Sequence, residues 1–275
     1  MVKYQKEEKM KKIRKTAFIL LCVVLLIVPV SVSAAENGRG TSSKTQMGVR
    51  TSKARRGWYT LKGDRKRYFE NGKYVRGLKK IGKRTYYFSA KGIMQTGAVK
   101  VKKTTYFLNS KGVMEGKKIG SRYYDAKGRL MSRKKAQDFQ TLQNAKQIAA
   151  KITNSRMSKS DKLKACFNWV ISKPYITRRG FSNISGWPAV FANDHFVLGG
   201  GDCIADAAAF AYLAKAIGYE KVYVCTDERS SSAHSWAEIN GLVYDPLFAE
   251  AKSYSANYGV PYGVYRLSPV LRVKL

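Results

Sequence analysis

The sequence predicts two architectures in one chain: an all-β array of stacked hairpins, followed by an α+β domain. Three observations carry this. Aromatic pairs and glycines recur at a fixed spacing between residues 57 and 135. From residue 136 the apolar residues fall at helical spacing, and only later does the pattern change to short alternating runs. The charge changes at the same place, with 29 Lys+Arg against five Asp+Glu in residues 36–135 and 16 against eleven in residues 136–275. Helical segments followed by strands mark an α+β domain, and a shift in charge balance marks a boundary.

The whole chain has 275 residues with 52 Lys+Arg, 18 Asp+Glu and four Cys. A hydrophobic content of 44% excludes wholesale disorder. Four cysteines are too few for a disulfide scaffold. One apolar run alone approaches the length of a span, which excludes a multi-pass membrane protein.

That run stands first. Residues 1–15 carry seven Lys+Arg, the apolar stretch Ala17–Val30 follows, and Ser31-Val32-Ser33-Ala34-Ala35 supplies small residues. A basic region, a short apolar region and a small-residue site together predict a signal peptide over residues 1–35, with an uncleaved anchor as the alternative. Residues 36–56 are polar, basic and aperiodic, as in a flexible linker.

The repeats come next. Tyr68-Phe69, Tyr87-Phe88, Tyr106-Phe107 and Tyr123-Tyr124 each precede a glycine turn, and Gly72, Gly92 and Gly112 lie 20 residues apart. Glycine supplies the positive φ of a tight turn, and aromatics pack across strands. A lone hairpin is marginal, so successive hairpins must stack. The Gly-x-Met-x-x-Gly pattern after Tyr-Tyr-Phe, clearest over Tyr86–Gly97, resembles the cell-wall-binding repeats of Gram-positive secreted proteins, the choline-binding and glucan-binding type. The resemblance spans about residues 57–133. It implies wall binding through Trp58 and the aromatic pairs. In that family a further Trp in each unit helps to cage a quaternary ammonium. Here Trp58 stands alone, with Leu78 and Ala98 in the corresponding places. The excess of cations therefore predicts anionic wall polymers or glycans as the partner, by counterion release. Export argues against nucleic acid as the biological partner.

The segment 136–275 carries the chemistry. Phe139, Leu142, Ile148, Ala149 and Ile152 form one helical stripe, and Leu163, Cys166, Phe167 and Val170 another, capped by Ser160-Asp161 and ended by Lys173-Pro174. Pro188 opens a short helix through Phe196. Gly199-Gly200-Gly201-Asp202-Cys203 runs directly into a helix closed by Gly218. Three strands follow: Lys221–Thr226, Ala233–Ile239 and Leu242–Tyr244, the last two joined by Asn240-Gly241, a strong hairpin turn. That register sets His234 opposite residue 247 and brings Asp245 within a diagonal step.

A thiol at a helix start feels the positive end of the dipole and free N–H groups. It needs a His to move protons and an acid to orient the His. Cys203, His234 and Asp245 provide these in order. The other histidine, His195, reads as a structural or rim residue; Cys166 and Cys225 read as buried. The anchors Gly201-Asp202-Cys203, Ala233-His234-Ser235-Trp236 and Tyr244-Asp245-Pro246 resemble the transglutaminase-like superfamily, related to papain-type cysteine proteases, over about residues 163–248. The resemblance implies a Cys-bearing helix packed on an antiparallel sheet, with Cys203 as nucleophile, His234 as acid/base and Asp245 as its orienting partner. It places Trp187 and Trp236 on the walls of the cleft. No cofactor or metal is called for, and no CxxC or HExxH spacing occurs. The expectation is a secreted, wall-associated cysteine enzyme acting on an amide bond of a protein or wall peptide. The alternative is a non-catalytic wall-binding protein with a vestigial triad.

Overall fold

The structure, a computed structural model, describes residues 55–275. The expected signal peptide and nearly all of the expected linker lie outside the described residues. Among the described residues no helix is long and apolar enough to cross a membrane.

Nine short strands come first: β1 (Gly57–Thr60), β2 (Lys66–Glu70), β3 (Lys73–Tyr74), β4 (Gly77–Ile81), β5 (Arg84–Phe88), β6 (Gly97–Val101), β7 (Thr104–Leu108), β8 (Met114–Ile119) and β9 (Arg122–Asp125). They form antiparallel sheets in the orders β1-β2-β3, β4-β5 and β6-β7-β8-β9. Asn71-Gly72 closes the β2–β3 hairpin with φ of 50° and 79°, as the Asn-Gly pair predicts. The longer hairpins turn elsewhere, at Gly82-Lys83, Lys102-Lys103 and Gly120-Ser121. The glycines of the 20-residue period serve the return from one hairpin to the next.

Stacking explains the Gly-x-Met pattern. A Cβ at Gly92 would enter the Tyr74 ring, and one at Gly112 would lie 2.5 Å from Met94 Sδ. Gly92 and Gly112 are thus each covered by the side chain two residues beyond the preceding turn glycine. Ser89, Asn109 and Asp125 brace these turns. The Asn109 carboxamide accepts from the amides of Lys111 and Val113, and the Asp125 carboxylate from those of Lys127 and Arg129.

Four helices follow: α1 (Arg133–Ile152), α2 (Lys159–Ile171), α3 (Trp187–Leu198) and α4 (Cys203–Ala216). Ser158, not Ser160, caps α2, and Asp161 completes a capping box with it. Then come β10 (Val222–Thr226), β11 (Ser235–Ile239), β12 (Leu242–Tyr244), the short α5 (Pro246–Ala251), β13 (Tyr258–Val260) and β14 (Leu271–Lys274). The antiparallel sheet has the order β13-β12-β11-β10-β14. Its edge strands escape the sequence reading because β13 is three residues built around Gly259 at φ 71°, and β14 alternates with charges.

Every residue of α4 from Ile204 to Leu213 is buried, with Ala214 after them. A helix apolar on all sides belongs inside. Its alanines admit α1, α2, α3 and the sheet around it. The repeats pack on the helices too: Phe139 of α1 meets Phe107 and Tyr123 at ring centroids 5.3 and 6.2 Å apart. Lys146 of α1 pairs with Glu115 of β8 at 2.6 Å.

Candidate active site

Cys203 stands at the first turn of α4, behind the Gly199–Gly201 turn. Gly200 has a φ of 143°, and a Cβ there would enter the Pro174 carbonyl. Only glycine lets the chain pass so close. Asp202 caps the helix, its carboxylate accepting from the amides of Ile204 (3.2 Å) and Ala205 (3.0 Å). The N–H groups that the sequence reading offered to a thiolate are therefore taken by Asp202.

The Cys203 thiol is half-buried and donates to the Ala233 carbonyl at 3.7 Å. The thiol so lies against the residue before His234. Burial pushes it up to about 12, Asp202 raises it further, and the Ser235 amide works the other way. Cys166 and Cys225, closed to solvent, are also raised to about 12 by burial. The resting thiol is protonated, so a proton acceptor must be at hand for it to react.

His234 follows Ala233 directly in the chain. Its Nε2 contacts Asp245 Oδ2 at 2.7 Å, so Nδ1 is the ring nitrogen turned away from the carboxylate. The Asn240-Gly241 turn, with φ of 52° and 84°, fixes the register that pairs Ala237 with Tyr244. Asp245 follows directly, fully buried, as the cap of α5, and Oδ1 accepts from the Phe248 amide at 3.0 Å. The His234 ring stacks on Phe248 at 4.1 Å and 12°. Lys252 Nζ sits 3.3 Å from the same ring centroid, so it must occupy the opposite face.

One residue of the site escaped the sequence reading. Tyr265 donates to Asp245 Oδ2 at 2.7 Å, the oxygen that His234 also contacts. It lies 20 residues downstream of Asp245 in a segment without periodicity, and no local signal marks it.

Two expectations require correction. Trp187 and Trp236, assigned to the cleft walls, are 2% and 0% exposed. Trp187 opens α3 and packs edge-on to Phe181 and Phe191. Trp236 points to the sheet face away from α4, among Cys225, Val243 and Tyr265, and donates to the Tyr262 hydroxyl. Neither presents a face to a substrate. Of the two readings of His195, structural or rim, its burial fits the structural one: it is fully buried, its Nδ1 2.8 Å from Asp206 Oδ1.

On the repeats the aromatics divide. Phe88, Phe107 and Tyr123 are buried and cement the hairpins, so they hold no ligand. Trp58 meets Tyr68, Tyr86 and Phe88 at 5.0–5.8 Å, a filled cluster. Tyr87 stacks on Tyr106 at 5.9 Å. Other ring faces carry the chain's own cations: Arg55 over Phe69, Arg67 and Arg76 over Tyr74, Lys118 over Tyr123 and Lys117 over Tyr124.

The comparison with known families agrees with both halves of this geometry. Residues 146–247 match the transglutaminase-like superfamily. Residues 75–118 match the choline-binding repeat. The chain thus joins a choline-binding repeat segment to a transglutaminase-like segment. No curated protein matches it. Similar solved structures include choline binding protein F from Streptococcus pneumoniae, at 24% identity over 28% of this chain and 27% of that one, with a TM-score of 0.23. CbpJ from the same organism is 27% identical over 28% of this chain and 29% of that one, also at 0.23. A choline binding domain from S. pneumoniae is 18% identical over 28% of this chain and 96% of that one, at 0.24. The chain therefore spans a little over a quarter of the length of the first two.

Proposed function

We propose that this chain is an exported, wall-associated cysteine enzyme of a Gram-positive bacterium, in which Cys203 forms a thioester with an amide acyl group of a protein or wall peptide. The observation that carries the reading is the 2.7 Å contact of His234 with buried Asp245, with Ala233, the residue before His234, touching the Cys203 thiol. The thiol proton passes to His234 Nδ1 as Sγ bonds to the amide carbon, and the oxyanion faces the Cys203 amide. His234 returns the proton to the leaving nitrogen as the C–N bond breaks. Asp245 holds the imidazole and stabilises its charged form. The thioester is then open to water, giving an acid, or to an amine, giving a new amide. The matched choline-binding repeats and the basic charge of residues 36–135 support attachment to the wall.

The test is hydrolysis of, or amine incorporation into, glutamine and wall-peptide amides. Cys203→Ala abolishes both with an unchanged melt, His234→Ala nearly so, and Asp245→Asn costs on the order of 10⁴-fold. Full activity in Cys203→Ala would refute the reading.

A second reading, a wall-binding protein with an inert triad, is favoured by the Cys203 thiol standing near 12 like its two bystanders. Alkylation separates the two. In the enzyme, iodoacetamide labels Cys203 near neutral pH faster than Cys166 or Cys225, and His234→Ala moves that labelling toward strongly alkaline pH. Equal labelling of all three thiols supports the inert form.

A further inference from the structure

We propose that the tips of the β6–β7 and β8–β9 hairpins form a groove for a phosphodiester-linked wall polymer, so that the repeats hold the wall by its backbone phosphates; this rests on the wall-association reading above.

The groove is open, of about 790 Å³, and Lys100, Lys102, Lys103, Lys118 and Arg122 line it without a single acidic residue. Register explains their convergence. Thr105 pairs with Lys100 on one side and Lys118 on the other, so two ammonium groups flank one hydroxyl in a single cross-strand row. Lys102-Lys103 and Gly120-Ser121 are adjacent two-residue turns, and Arg122 opens the strand after the second.

None of these cations has a carboxylate partner among the described residues, and Lys118 alone meets a ring, that of Tyr123. Glu70 pairs with Lys79, Asp125 with Arg129 and Glu115 with Lys146. Among the described residues no carboxylate bridges any of the five groove cations. Like charges gathered on neighbouring strands repel one another and await a counter-ion.

A second observation is independent of the charge. The first residue of the equivalent turns is glycine, Gly82 at φ 60° and Gly120 at φ 58°, but the β6–β7 turn holds Lys102 at φ 52°. Glycine adopts that conformation freely, and lysine does so only under strain. A residue whose backbone is held in the left-handed region at the mouth of a cationic groove points to use.

The lining chemistry selects the ligand. Thr105 and Ser121 offer hydroxyls, which suit a polyol phosphate, and Tyr124 is the only aromatic in the lining. Its ring already has Lys117 Nζ 5.7 Å from the centroid. A caged quaternary ammonium is therefore not the fit here, nor is a row of stacked bases.

The experiment measures binding of the full chain to synthetic poly(glycerol phosphate) across a salt series. The variant carries Lys100→Gln, Lys102→Gly, Lys103→Gln, Lys118→Gln and Arg122→Gln. The control carries Lys62→Gln, Lys73→Gln, Lys80→Gln, Lys83→Gln and Lys91→Gln, with the same net charge. The groove variant is expected to bind at least tenfold more weakly at 150 mM salt, and its slope of log affinity against log salt to fall by roughly 3–4. The control should lose less than threefold. Lys102→Gly relieves strain, so the melt of the single variant guards against misfolding. Equal loss in both five-residue variants overturns the groove. So does displacement by choline chloride beyond that by equal sodium chloride, or a loss confined to a poly(A) probe. Cys203→Ala is expected to bind as the native chain does. Binding without turnover leaves the groove standing and removes the enzyme reading, whereas turnover without groove-dependent binding removes the groove alone.

Discussion

Asp245 accepts three hydrogen bonds on two oxygens: Phe248 N on Oδ1, and both His234 and Tyr265 on Oδ2. The backbone bond fixes the carboxylate, and the Tyr265 hydroxyl shares the oxygen that orients the imidazole. The Tyr265 hydroxyl thus holds the oxygen against which the imidazole rests. Tyr265→Phe lowers kcat roughly tenfold with KM unchanged, as the ring loses a restraint. A residue that only filled space would lower the melting temperature without changing kcat, and an unchanged kcat would refute the positioning role. Cys203, His234 and Asp245 were legible because the Gly199–Gly201 run and the Asn240-Gly241 turn fix their backbone positions from local sequence. Tyr265 was not, since it arrives from a distant loop. Trp236 was misplaced because an aromatic beside His234 suggests a cleft wall, whereas the 261–270 segment covers that face of the sheet.

At the scale of elements the repeat array offers a sharper contrast. Gly92 and Gly63 share nearly the same backbone, at φ 69° and 75°, but differ in what a methyl group would meet. At Gly63 nothing lies within 4 Å; at Gly92 the Tyr74 ring fills the space. Gly63→Ala therefore costs only the strain of a left-handed residue, about 1 kcal/mol. Gly92→Ala adds overpacking, for a total of about 2–4 kcal/mol. Denaturant melts followed by aromatic circular dichroism measure the difference, and equal destabilisation would mean that the stacking of Tyr74 on Gly92 does not hold. The period of 20 made the array readable, because each unit repeats one solution to the same steric problem. The position of the long hairpin turns was hidden, because Lys102-Lys103 lacks the glycine that marks the others. The helices were readable from their stripes, and α4 from the glycine run before it and Gly218 after it. The edge strands β13 and β14 were too short and too polar to stand out.

Across the whole molecule the two architectures meet on α1. Phe139 packs edge-on against the stacked pair Phe107 and Tyr123, and beside it Lys146 and Gln143 reach Glu115. An aromatic edge-on to two rings contributes more here than the ion pair, whose groups remain 28% exposed and exchange water for each other at small net gain. The repeats supply little core of their own, since short hairpins bury few side chains completely, and so they depend on this contact for rigidity. Phe139→Ala should therefore remove about 2 kcal/mol from the joint and uncouple the two parts. The expected result is a melt in two steps, the first carrying the repeat aromatics and the second the helices. Lys146→Ala should leave a single transition lowered by about 1 kcal/mol or less. Calorimetry with tryptophan emission checks this directly, because Trp58 reports the repeats, while Trp169, Trp187 and Trp236 report the helices and sheet. A single cooperative melt in Phe139→Ala, at the native midpoint, would mean that the repeats hold to the helical half by something other than this aromatic joint.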